Sequence, residues 1–154
     1  MNSKYITKAL TKVLTMPALP NGRPFAYEKG KTLTAYCDNY CAWAVPTNGN
    51  TVTNPQAYEM HGLLSRMQVD TSILHEVKDT GIRRIIDKVR KKVEISVFAC
   101  DDFEIHVNSG MLKLFDSLSC TFWAKSYDTQ LYIVDNSRIP DGYAIGLIMP
   151  VKPN

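Results

Sequence analysis

Residues 103–151 read FEIHVNSGMLKLFDSLSCTFWAKSYDTQLYIVDNSRIPDGYAIGLIMPV, and the order of elements in this stretch decides the fold. FEIHVN, with Asp102 before it, has the composition of a strand, and SGMLKLFDSL gathers Met111, Leu112, Leu114, Phe115 and Leu118 into a short helix with Ser109 as its expected cap. Three strands follow, CTFWAKSY, QLYIVDN and YAIGLIMPV, separated by turn chemistry at Asp128-Thr129 and from Asn136 to Asp141. The chain therefore closes on a helix followed by strands, ending at Met149-Pro150-Val151.

Working outward, the front of the chain has the same outline. Residues 3–16 carry Ile6, Leu10, Val13 and Leu14 at helical spacing, with lysines and threonines mostly on the other side. Ser3 offers a cap, and Pro17 and Pro20 end the helix. RPFAYEKGKTLTAYCDNYCAWAVPT then reads as two strands about a Glu28-Lys29-Gly30-Lys31 turn, the second running unbroken to Pro46. Helix plus strands at both ends amounts to a coarse internal repeat. Between them, residues 47–57 are dense in turn residues, and 58–78 read as one or two short helices. From Asp79 to Lys92, Ile82, Ile85, Ile86 and Val89 fall at i, i+3, i+4, i+7, opposite Arg83, Arg84, Lys88, Arg90, Lys91 and Lys92. That spacing predicts an amphipathic helix with a basic outer face. VEISVFAC follows as a strand. The whole predicts an α+β fold: a mostly antiparallel sheet with two helices packed on one face and an extra helical segment.

The chain has 154 residues, 45% of them apolar, enough for one domain spanning 1–154 with its own core. Basic residues exceed acidic ones by three, a weak global attraction for polyanions, so the clustering of charge matters more than its total. No window approaches a membrane span, and the lysine-rich start lacks a hydrophobic signal core, which points to a cytoplasmic protein without membrane attachment. Cys37, Cys41, Cys100 and Cys120 read as free thiols. In a continuous strand Cys37 and Cys41 lie about 13 Å apart, too far to share a zinc ion. His61, His75 and His106 show no metal spacing, and Asp101-Asp102 is turn chemistry. No phosphate loop, metalloprotease helix or nucleophile elbow occurs. These observations predict a non-enzymatic protein with no cofactor and no metal.

Residues 103–151 also resemble the closing half of the last domain of the bacterial DNA polymerase sliding clamp, the polymerase III β subunit. Val107-Asn108, Met111 with Phe115 and Leu118, the strand Leu131-Tyr132-Ile133-Val134, and Ile148-Met149-Pro150-Val151-Lys152 stand where that family has its strand, helix, strand and Met-Pro-Met-Arg terminus. At the front, Cys37-Asp38-Asn39-Tyr40-Cys41-Ala42 is similar to the family's Thr-Asp-Gly-His-Arg-Leu segment, with only Asp38 kept. The two parts cover roughly two thirds of the chain, and residues 48–92 exceed the family's connection, which predicts an insertion there.

The resemblance implies a DNA-clamp-like domain in which Asp38, Tyr40, Met149, Pro150 and Val151 border a pocket for polymerase-type peptides. With Cys41 for Arg and Val151 for the second Met, peptide specificity need not carry over. A ring needs several such domains, so one per chain implies a homo-oligomer or a clamp-like fold that no longer encircles DNA. For the basic segment, Arg83, Arg84, Lys88, Arg90 and Lys91 are the candidate contacts to double-stranded DNA, set against an ordinary solvated face. Two readings stay open: a replication clamp-like protein, of phage or mobile-element origin, that binds DNA and replication proteins; or a protein-interaction module, such as a phage-encoded inhibitor of a host factor, that keeps the fold alone.

Overall fold

A computed structural model describes residues 3–16, 25–47, 52, 54, 57–88, 91–137 and 142–152. Its elements run α1 (Ser3–Thr15), β1 (Ala26–Lys29), β2 (Leu33–Cys37), β3 (Cys41–Pro46), β4 (Tyr58–Glu59), α2 (Leu63–Arg66), β5 (His75–Lys88), β6 (Lys91–Ala99), β7 (Glu104–Asn108), α3 (Ser109–Leu112) with a 3₁₀ turn at Lys113–Phe115, β8 (Cys120–Ala124), β9 (Leu131–Asp135) and β10 (Gly146–Ile148). The fold is α+β. The strands form one mixed sheet in the order β4-β1-β2-β3-β10-β9-β8-β5-β6-β7, antiparallel at every pairing except the parallel β1 with β4. Among the described residues no helix is long and apolar enough to cross a membrane.

The middle of that order is symmetric. α1-β1-β2-β3 and α3-β8-β9-β10 are two helix-plus-three-strand units, and the third strand of each, β3 and β10, meet as antiparallel partners with Trp43 opposite Gly146. The helical segments lie on the same face of the sheet. Tyr5 of α1 donates its hydroxyl to the Ala44 carbonyl of β3 at 2.6 Å, and Trp43 donates its ring N–H to the Ala9 carbonyl of α1. Tyr5 also stacks on Phe115, 5.9 Å between centroids, while Lys8 reaches the Lys113 carbonyl and the Asp116 carboxylate. Below this contact Trp43, Tyr36, Ile133, Ile148 and Leu131 are fully buried and form the centre of the core.

Two hydrogen bonds carry the chain away from β10. Met149 N–H donates to the Tyr40 carbonyl at 2.9 Å, and Val151 N–H donates to the His106 carbonyl at 2.7 Å. His106 belongs to β7, the last strand of the sheet, so that end of the sheet curls back to the tail of a strand at its centre.

Four local expectations are corrected. The segment 33–46 is two strands instead of one, because the Asp38 carboxylate accepts from Tyr40 N–H (2.7 Å) and Cys41 N–H (2.8 Å) and turns the chain. Cys37 and Cys41 thus stand on adjacent strands, with Cys37 opposite Ala42. The basic amphipathic helix expected over 79–92 is a β-hairpin. Its isoleucines and valines are β-branched and favour extended backbone, Gly81 takes φ +79°, and the register shifts between Asp79 and Arg83. Ile82 and Ile85 remain exposed, so the i, i+3, i+4 spacing marks no buried stripe. The helices expected over 58–78 reduce to the single turn α2, whose Gly62 and Leu64 N–H groups are held by the Glu28 carboxylate. Finally, Asn108 instead of Ser109 caps α3, accepting from Gly110 N–H at 2.8 Å. Residues 48–92 contribute β4, α2 and β5, and β5 lies within the sheet between β8 and β6.

Candidate functional site

The hairpin of β5 and β6 leaves the sheet as a two-stranded arm. β8 pairs with β5 only at His75–Val77, and β7 pairs with β6 only at Ile95–Ala99. Arg83 and Arg84 still pair with Ser96 and Ile95 of the β7-bound part of β6, and beyond them Ile85–Lys88 and Lys91–Glu94 have, among the described residues, only each other as ladder partners. Charge concentrates there. Residues 82–94 hold six basic side chains (Arg83, Arg84, Lys88, Arg90, Lys91, Lys92) and two acidic ones (Asp87, Glu94), net +4, so the other residues of this +3 chain sum to −1.

Strand geometry sorts these charges by face, since directly paired residues point the same way. Arg84, Ile86, Val93 and Lys91 share one face, whereas Arg83, Ile85, Asp87, Glu94 and Lys92 share the other. The second face is internally compensated. Arg83 makes a two-pronged bond to Asp79, at 2.8 and 2.9 Å, and lies 3.8 Å from Glu94. That guanidinium holds the Asp79 carboxyl below its ordinary value, the Arg83 hydrogen bond being the main cause. Arg84, Lys91 and Lys92 are exposed, and no ion pair to them occurs among the described residues. Lys88 ends β5 and Arg90 lies outside the described residues.

Two hollows flank the arm. One of about 410 Å³ runs between Lys91–Glu94 and the segment Asn108–Met111 with Lys113, bringing three lysines together beside one glutamate. The other, about 460 Å³, places Arg84 beside Phe103, Glu104, His106 and the exposed Tyr127. Lys113 joins the basic set only through the fold, because it stands far from the arm in sequence.

The expected peptide pocket divides. Asp38, Tyr40 and Met149 line a common pocket of about 130 Å³ with Cys37, Cys41, Leu63, Arg66, Gln130 and Leu147. Pro150 and Val151 are not among its lining residues, and Val151 instead joins β7. Asp38 serves chiefly as the β2–β3 turn lock. The pocket's apolar surface is supplied by Leu63 and Leu147 together with Met149, the first from a helical turn whose position no local pattern reveals. Its thiols are poor nucleophiles: burial, followed by the nearby Asp38 carboxylate, pushes Cys41 up to about 12, and burial also raises Cys37.

No protein-family model, no curated protein and no solved structure matches the chain.

Proposed function

We propose that this chain is a non-enzymatic, clamp-like protein that binds double-stranded DNA through the β5–β6 arm, self-associates, and serves replication proteins. The observation that carries the DNA reading is the arm itself, a twisted ribbon with net +4 over thirteen residues and one face, Arg84 to Lys91, bare of acid among the described residues. A two-stranded ribbon fits the major groove, and lysine and arginine on it gain affinity by releasing counterions from phosphates without reading sequence. The clamp part of the reading is supported by the resemblance of residues 103–151 and by the doubled helix-plus-three-strand unit meeting at β3 and β10.

The test is fluorescence anisotropy with a short labelled duplex across a salt series. Arg84→Glu and Lys91→Glu are each expected to weaken binding and to flatten the dependence of log K on log salt by about 0.9 for every phosphate the variant no longer neutralises. Arg83→Ala is expected to change little, its guanidinium being committed to Asp79. Light scattering of the same samples is expected to show an assembly larger than one chain that gains mass with duplex. Binding unchanged by both reversals overturns the assignment to the arm.

A second reading, the protein-interaction module, is favoured by the pocket at the β2–β3 turn, where Tyr40 is 60% and Met149 44% exposed beside apolar Leu63 and Leu147. A monomer without DNA affinity at low salt supports that reading over the first.

A further inference from the structure

At the root of the arm three side chains of metal-ligating type converge from two parts of the chain. His75 opens β5, and Cys100 and Asp102 lie in the turn between β6 and β7. One donor atom of each, imidazole nitrogen, sulfur and carboxylate oxygen, lies within 4.8 Å of both others. His75 Nδ1 stands 3.6 Å from Asp102 Oδ2. Its ring meets Phe103 edge to face at 5.6 Å and 85°, which fixes the ring plane, and the turn is closed by Cys100 N–H donating to the Phe103 carbonyl at 3.0 Å. The strand bearing His75 is in turn held by pairing with Ala124 of β8.

The geometry points to a mononuclear site for a zinc-class divalent ion held by His75, Cys100 and Asp102, with the fourth position open to water. Zinc bonds of about 2.0 to 2.3 Å to nitrogen, oxygen and sulfur set neighbouring donors roughly 3.3 to 3.8 Å apart on a tetrahedron. Closing the present triangle to those lengths takes rotamer adjustments of about an ångström in partly exposed side chains. A mixed thiolate, imidazole and carboxylate set is soft enough to prefer zinc over magnesium or calcium, which take oxygen alone. The same three residue types also make up the nucleophile, base and orienter of a cysteine hydrolase. In that relay the imidazole stands between sulfur and carboxylate and keeps them apart, whereas here all three donors face one another.

The site is independent of the DNA-binding reading, and its position links them only mechanically: an ion there would staple β5 to the β6–β7 turn where the arm departs. The full chain, stripped with chelator, is titrated with zinc chloride against a chromophoric chelator and, separately, with cobalt(II) chloride followed by absorption. One ion per chain and a thiolate-to-cobalt charge-transfer band are expected. Cys100→Ser is expected to remove the band, His75→Ala and Asp102→Asn to weaken zinc binding at least about tenfold, and Cys37→Ser to leave both unchanged. Zinc is also expected to raise the melting temperature of the parent chain and not that of Cys100→Ser. A band that survives Cys100→Ser, or no competition with the chelator at equimolar zinc, overturns the site. All four positions are at least partly exposed, and equal melting temperatures in excess chelator show that the variants fold.

Discussion

At the scale of the residue, Gly146 has the least freedom in the core. It faces Trp43 across the β3–β10 ladder while Phe115 lies over it, so a Cβ at this position is driven into the phenyl ring. The ring has little room to retreat because Tyr5 stacks against it. Gly146→Ala is therefore expected to cost about 1 to 3 kcal/mol, measured by urea unfolding. Combining it with Phe115→Leu should give less destabilisation than the sum of the two single changes, since the smaller side chain makes way for the methyl group. In the sequence Gly146 reads as an ordinary interruption of an apolar strand. Nothing local says that an aromatic thirty-one residues earlier occupies the space of its side chain.

At the scale of the element, the arm shows what spacing can and cannot decide. The isoleucines at 82, 85 and 86 satisfy a helical template, yet the chain extends because they are β-branched, because Gly81 and the register shift break the alternation that would have announced a strand, and because β6 and β8 offer ladder partners. The cationic character of the segment was legible without knowing its conformation; which cations share a face was not. The terminal helix, the basic cluster and the closing strands followed from patterning, while α2 depended on the distant Glu28 carboxylate and the Asp38 turn on local bonds from Tyr40 and Cys41 N–H inside an otherwise unbroken apolar run. Since Ile85–Lys88 and Lys91–Glu94 pair, among the described residues, only with one another, replacing residues 85–94 by a short turn should leave the far-ultraviolet signature of the remaining sheet and the unfolding midpoint nearly unchanged, and should strongly weaken duplex binding. A collapse of the midpoint would show that the distal arm supports the core after all.

At the scale of the whole molecule, stability is tied to buried acids that keep their protons. Burial and Asp38 push the Cys41 thiol up to about 12, burial and Asp135 do the same for Cys120, and burial raises the Tyr5 hydroxyl well above its ordinary value. Each folded value lies above its unfolded one, so the unfolded chain releases these protons first. Stability is fully present below about pH 9, the ordinary value of the thiols, and falls as pH rises from there towards 12. Cys41 alone steepens that fall by up to about 1.4 kcal/mol per pH unit. Urea unfolding of the parent chain and Cys41→Ala between pH 8 and 10.5 should show a shallower loss in the variant, and equal slopes would contradict it. The doubling of the fold belongs to this scale too. Helix plus strands at both ends was visible in the sequence, but the pairing of β3 with β10 that joins the halves was not, because apolar strands of similar length carry no mark of which neighbour they choose. The bond from Val151 to His106 completes a circuit: β10, β9, β8, β5, β6, β7 and back to the tail of β10. That single bond ties the edge strand β7 to the tail of β10. Release of the tail and loosening of β7 become one event, and the amide protons of Val151 and of β7 should exchange with solvent at a common rate, set by the opening of that single clasp.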